Sequence, residues 1–409
     1  MGATLPPLAP AERAGRHRLP WPTMRLRLFL LSTVGMLVLI TGCSGSDAPD
    51  APLAAPPPEP VTITVPATAQ PINPTEPIVV QVSGGTLDKV AVTDPAGKPL
   101  TGGFAPDSKT WTSNQPLAFD TEYTVTAQAV DLALRVTDQT FTVDTINPTL
   151  AYANVVPAPN FVADVGIGVG QPMVFEFTKP VVNKAEVQKH LVITSDPPQP
   201  GAWYWTDDMN VHYRGPEYWK PGTKLHIEAN VFGLDLGNGV FGAENNAADY
   251  TVHDSWIAKA DGATKVLTVF HNGAQVNSMP MSLGSPGNPS HEGPHVISER
   301  AHSVIMDSCT YGVCKGDPNY YREEVFLNLR ISYDGEFVHS APWSVGEQGN
   351  ANVSHGCVNL APDNAQWMFD HFGIGDVVEI SNSGGPRLPV WDRYGDWEVP
   401  WEQWQAGNA

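Results

Sequence analysis

From Val61 onward the sequence keeps returning to a period of two. Val61-Thr62-Ile63-Thr64-Val65 alternates apolar and polar residues, and Val79–Val82, Val90–Val92 and Tyr123–Ala127 do the same. Successive side chains of a strand point to opposite faces, so runs of this kind bury one face and wet the other. Gly, Pro and Asp punctuate them at the spacing of a β-sandwich. The chain holds 39 Pro and 37 Gly but only 16% charged residues, a balance that favours turn-rich β modules over helical bundles.

At 409 residues the chain is too long for one ordinary core and suggests two to four domains. A faint repeat divides the first part. Thr121-x-Tyr123-x-Val125-x-Ala127 is echoed by Thr223-x-Leu225-x-Ile227-x-Ala229, about a hundred residues later, the length of one immunoglobulin-like sandwich per copy. No Cys pair staples either copy. The first sandwich is expected over residues 61–147 and the second over 148–252. Trp203, Trp205, Tyr213, Tyr218 and Trp219 make the second dense in aromatics. Core packing and domain contact are the expected use, with sugar stacking as the rival.

The start of the chain is a different kind of segment. Arg25 and Arg27 precede LFLLSTVGMLVLITG, a basic region followed by a short apolar run ending in small residues at Cys43. It reads as a secretory signal over residues 1–42, with Met24 as an alternative start. Ile40-Thr41-Gly42-Cys43 resembles a lipoprotein box, with Ile40 where leucine is commoner; lipidation of Cys43 would then anchor an exported protein on the outer face of the membrane. An uncleaved transmembrane anchor is the rival, and the apolar run is short for one. Residues 43–60 turn Pro-rich and should form an extended spacer. The formal charge is −20 and becomes more negative once the Arg-rich leader is removed, which argues against a nucleic-acid partner.

Residues 253–380 continue in β patterns. Val266–Phe270 and Gln275–Asn277 flank His271-Asn272-Gly273, a strong hairpin signal, and Ser303–Met306 is a further run. Residues 306–322 lack periodicity and form a long Gly-, Pro-, Asp- and Asn-rich loop of the sort that serves as a lid. Cys309 and Cys314 sit in it. In an exported protein they suggest a disulfide; a zinc site made with a histidine is the rival. Pro362–Phe372 reads as a helix with Ala365, Met368, Phe369 and Phe372 on one face, and Val377–Ile380 as a strand. In the tail, 381–409, Trp397, Trp401 and Trp404 fall at helical spacing and predict a stripe that docks on the preceding domains.

The chemistry concentrates in HSAPWSVGEQGNANVSHGCVNL, residues 339–360. Cys357 follows Gly356 and His355, and His339 lies upstream beside Ser340. A thiol needs a nearby base to act as a nucleophile, and glycine before it lets backbone amides aim at a developing oxyanion. Cysteine and histidine are often inert core residues. Two histidines, the glycine, and a cysteine left over once Cys43 is lipidated and the lid pair is joined favour the reactive reading.

His339 followed at this distance by Ser354-His355-Gly356-Cys357-x-Asn359 resembles the signature of the L,D-transpeptidase catalytic domain. The flanking Ala341-Pro342-Trp343-Ser344 resembles the branch with two immunoglobulin-like domains on a lipoprotein anchor. The resemblance implies a mainly β protein: two sandwiches, a β-rich catalytic domain with one short helix, and a Trp-rich C-terminal subdomain. It implies an exported enzyme forming 3→3 cross-links between peptidoglycan stem peptides, donor and acceptor, through a thioester on Cys357. Carbapenem β-lactams would acylate the same thiol. No cofactor and no metal are called for.

By the same resemblance His339 is the base, oriented by the Ser340 carbonyl, with His355 in support. Spacing alone does not choose between the two histidines. The amides around Gly356-Cys357, with the Tyr321 hydroxyl, would hold the oxyanion. Tyr311 and Tyr321 match lid tyrosines facing substrate, and Trp343, Ser354 and Asn359 match positions lining the pocket. Where the family usually shows Thr-Pro and a Gly before an aromatic strand, this chain has Asn288-Pro289-Ser290-His291-Glu292-Gly293-Pro294. Two other classes remain open: a wall cysteine peptidase or amidase, in which water resolves the thioester, and a non-catalytic wall-binding lipoprotein.

Overall fold

The computed structural model describes residues 59–318 and 320–409, without the side chain of Tyr311. The expected leader 1–42, the expected lipidation site Cys43 and most of the expected spacer lie outside the described residues. The described chain is mainly β.

Period-two patterning becomes burial strand by strand. In Glu122–Asp131 the alternate residues Tyr123, Val125, Ala127 and Ala129 turn inward. They meet Ile78, Val80, Trp111 and Val143 in the core of a first sandwich of two four-stranded sheets. The echo of that pattern, Lys224–Ala229, is the central strand of a three-stranded sheet in the second sandwich, where Leu225, Ile227 and Ala229 are buried. Trp205 and Trp219 lie in this second core, while Tyr218 packs edge-on against Trp397 of the tail at 4.5 Å.

Two sheets make the catalytic part. The first has five strands in the order Ala274–Pro280, Val266–His271, Trp256–Asp261, Val377–Ser381, Gly293–Val296. Its opening hairpin turns on Asn272 and Gly273, both at positive φ, with His271 paired to Ala274. The second has four: Glu299–Asp307, Arg322–Arg330, Phe337–Ser340, Val358–Leu360. Helix Pro362–His371 covers them with Ala365, Met368 and Phe369, and Phe372 is buried just beyond its end.

The aperiodic lid is shorter than residues 306–322. Met306 pairs with Glu323 and Asp307 with Arg322, so backbone pairing carries the strands past the point where apolar alternation stops. A short 3₁₀ turn, Ser308–Tyr311, opens what remains.

The second sandwich and the catalytic part share an interface. Gly168 N–H donates to the Ile374 carbonyl at 2.8 Å and Gly170 N–H to the Gly375 carbonyl at 2.9 Å. A Cβ on Gly168 would stand 2.2 Å from the Asp376 nitrogen, so only glycine permits this approach. The tail clasps the same sandwich, although not as one helical stripe. Trp397 sits in a 3₁₀ turn, Pro400 interrupts, and Trp401 and Trp404 lie on a separate helix, Trp401–Ala406. All three rings still converge on the Arg214 guanidinium, 4.8, 5.7 and 4.5 Å from their centroids. Trp404 is fully buried and its indole N–H donates to the Ala202 carbonyl.

Candidate active site

The Phe337–Ser340 and Val358–Leu360 strands pair in parallel, with His339 opposite Asn359. This ladder brings the two ends of residues 339–360 together, placing His339 beside the residue that follows Cys357 by two. Both side chains line one cleft of about 260 Å³, with Tyr321, Trp343, Ser354, His355 and Asn359 on its walls. The sequence-derived site residues therefore converge. Tyr311 belongs to the lid's 3₁₀ turn, and its side chain lies outside the described residues.

The lid cysteines are joined as the Cys309–Cys314 disulfide, which removes them as zinc ligands and leaves Cys357 the only free cysteine among the described residues. Cys357 is 8% exposed. Its Sγ–H faces the Gly335 carbonyl at 3.7 Å. Burial pushes its thiol up to about 12; the Phe337 backbone amide works in the opposite direction.

His339 is also buried. Its Nδ1–H donates to the Ser340 carbonyl at 3.0 Å, and a carbonyl only accepts, so Nε2 is left as the basic nitrogen. Burial pulls its imidazole down to about 4. Both shifts favour the uncharged forms, a thiol beside a neutral imidazole. The low-dielectric site disfavours an ion pair until substrate arrives.

His355 does not join this pair. Its side chain is exposed and its ring lies 5.3 Å from that of Tyr321. Trp343 stacks on His339 with 5.9 Å between centroids. Asn359 is turned toward Ser344, donating from Nδ2 to Oγ at 3.1 Å.

The SHG turn is held by side-chain hydroxyls. Ser354 Oγ donates to the Cys357 carbonyl at 2.6 Å and accepts the Gly356 N–H at 3.1 Å. Ser290 Oγ donates to the Gly356 carbonyl at 2.6 Å. The Gly356 amide, expected to face the oxyanion, is thus occupied by Ser354 in this state. Gly356 has φ +120°, and a Cβ there would come within 3.3 Å of Glu336 Oε1. Burial raises the Glu336 carboxyl, but His291 and His295 outweigh it and leave the group at about 2, a carboxylate throughout the neutral range.

The cleft also contains Met306, Glu323 and Val325, which sequence reasoning missed. Glu323 and Val325 are two apart on one strand and so share its face, a signal that was readable once Arg322–Arg330 was placed as that strand.

Residues 255–380 match the L,D-transpeptidase catalytic domain family, and residues 69–235 match the bacterial Ig domain family across both sandwiches. The chain is 42% identical to L,D-transpeptidase 2 of Mycobacterium tuberculosis over 334 residues, 81% of each chain. It is 30% identical to L,D-transpeptidase 5 of the same organism over 398 residues, 94% of this chain and 85% of that one. Among solved structures, LD transpeptidase LdtMt1 in complex with imipenem aligns with TM-score 0.49 at 32% identity, covering 57% of this chain and all of that one.

Proposed function

This chain belongs to the L,D-transpeptidase family, whose members cross-link peptidoglycan, and from that premise we propose how its own residues carry the transfer. The Cys357 thiol adds to an amide carbonyl of a donor tetrapeptide stem, at the diamino-acid residue, as its proton passes to His339 Nε2. The oxyanion forms where a backbone amide of the Gly356-Cys357 turn and the Tyr321 hydroxyl would meet it; Gly356 N–H becomes available when Ser354 Oγ rotates away. Collapse breaks the C–N bond, and the leaving amine takes the proton back from His339. The amine of a second stem then attacks the thioester and gives its proton to His339. Cys357 leaves as the thiol, and the product is a 3→3 cross-link. Ser340 holds the imidazole in the tautomer that both proton transfers need. Tyr321, Trp343, Ser354 and Asn359 line the peptide's path, as Tyr311 would from the lid.

The observation that carries this reading is the His339–Ser340 bond in the cleft that also holds Cys357. A strained β-lactam amide presents the same electrophile, so a carbapenem should acylate Cys357. Intact-protein mass after incubation with a carbapenem tests the reading. A single adduct mapping to Cys357 supports it, and an unmodified Cys357 defeats it. Products formed with and without an acceptor amine then separate transfer from hydrolysis.

The exported lipoprotein state rests on Ile40-Thr41-Gly42-Cys43. Diacylation of Cys43 would hold the enzyme on the outer face of the membrane, facing the wall. Cys43→Ala should move the protein from the membrane to the soluble fraction; persistence in the membrane would favour an uncleaved anchor.

A further inference from the structure

The segment that departs from the family pattern, Asn288–Pro294, folds against the back of the cysteine turn. His291 Nδ1 lies 3.3 Å from Glu336 Oε1 and 3.5 Å from Asp334 Oδ2. On the far side of the same carboxylate, His295 Nε2 stands 3.3 Å from Oε2. Charge-assisted N–H···O bonds favour about 2.7–2.9 Å, so these separations are long for hydrogen bonds. The two at His291 match another geometry. Ligands held about 2.0–2.1 Å from a tetrahedral zinc-class ion stand roughly 3.3–3.4 Å from one another.

A second observation points to the same place. His291 Nδ1, the nitrogen turned to both carboxylates, is buried without a hydrogen-bond partner; His295 Nε2 and Glu336 Oε2, likewise unpaired, face one another outside this group. The His295 side chain is fully buried and that of Glu336 is 7% exposed. Buried polar atoms left unpaired are costly, and a cation is one way to satisfy them.

The surroundings orient the ligands as an outer shell would. The His291 amide donates to Glu336 Oε1 at 2.8 Å. Ser332 Oγ donates to Asp334 Oδ1 at 2.5 Å, turning Oδ2 toward His291. One ligand atom each from His291, Asp334 and Glu336 falls within 4.8 Å of the other two. We propose that His291 Nδ1, Asp334 Oδ2 and Glu336 Oε1 form a binding site for a divalent transition-metal cation of the zinc class, open to water on the Asp334 side. One imidazole and two carboxylates suit such an ion, and three protein ligands leave one position for solvent. The site is separate from the substrate cleft. It lies behind the nucleophile, on the loop whose Gly335 carbonyl faces the Cys357 sulfur.

The test uses the full chain carrying Cys357→Ala, so that the thiol is no ligand, stripped with a chelator and titrated with zinc chloride by calorimetry. One saturable site is expected, with a matching rise in melting temperature. His291→Ala and Glu336→Gln should each weaken binding at least about tenfold. If Glu336→Gln fails to fold without metal, Asp334→Asn, at a side chain 39% exposed, provides the same comparison. Absence of saturable binding, or binding unchanged in His291→Ala and Asp334→Asn, would overturn the site and leave a protonated His291 held between two carboxylates.

Discussion

The Ser340 carbonyl accepts the Nδ1–H of His339 at 3.0 Å, so the residue next to His339 fixes which of its nitrogens is basic. A backbone carbonyl performs the orienting role that a carboxylate has in other triads. It adds no charge, consistent with an imidazole that stays neutral well below pH 7.

Cys357→Ala should reduce cross-linking to background and abolish the carbapenem adduct, with a melting temperature close to that of the parent, because only the sulfur carries the covalent step. Parent-like product formation by this variant would end the acyl-enzyme reading.

His339→Ala should lower kcat/KM by about 10²–10⁴, the usual worth of a general base. His355→Ala should cost less than about tenfold, since that side chain is exposed and its ring lies tilted against that of Tyr321. If steady-state kinetics rank the two variants the other way, His355 is the base.

The pH response follows from the two buried groups. With the thiol at about 12, alkylation of free enzyme by iodoacetamide should keep rising through pH 9, roughly tenfold per unit, with no plateau near neutrality. His339 acts on stability from the other side. An unfolded imidazole takes its proton near 6.5, whereas the folded one resists until about 4. The unfolded state therefore binds more protons in this window, and stability falls as pH drops from 6.5 to 4, by on the order of 3 kcal/mol. His339→Gln should flatten that limb in urea titrations; an unchanged slope would show that other groups cause it.

Replacing both lid cysteines, Cys309→Ser with Cys314→Ser, should cost only about 1–2 kcal/mol, because the ring they close is short. Acylation by a carbapenem should nevertheless slow, since Tyr321 shares the Ser308–Tyr321 base of the lid and must be ordered afresh on binding. Equal acylation rates with and without the disulfide would remove it from the mechanism.

Trp404→Ala should destabilise the protein by about 3–5 kcal/mol, having emptied a fully buried site and left the Ala202 carbonyl without its donor. Urea unfolding measures this, and a loss below about 1 kcal/mol would mean the tail is only loosely docked.

Much of the fold was legible because its signals are local. Asn272-Gly273 announces a hairpin, the 362–372 stripe a helix, and the 121–127 echo a second sandwich. The pairing of His339 and Cys357 in one cleft was legible because a short motif carries both ends. What stayed hidden is non-local. His291 and Glu336 are 45 residues apart, on segments with no shared period, and only the sheet brings them together. For the same reason the sequence suggests metal ligands only at the lid cysteines, where spacing is visible. The tryptophan stripe misled in detail because helical spacing persists across Pro400 although the helix does not. Loss of the Gly356 amide to Ser354 depends on one hydroxyl rotor, which no sequence pattern encodes.

The parallel ladder between Phe337–Ser340 and Val358–Leu360 has a consequence for how relatives are found. Three backbone pairs, Val338 with Val358, His339 with Asn359 and Ser340 with Leu360, set the distance between His339 and Cys357. The intervening segment sets none of it, and it is open at Gly346, where an added Cβ would touch nothing within 4 Å. Loop closure costs rise only slowly with length, so insertions there should be tolerated. A pattern written to recognise distant members should therefore hold the His-Ser and Ser-His-Gly-Cys ends and let the gap between them float.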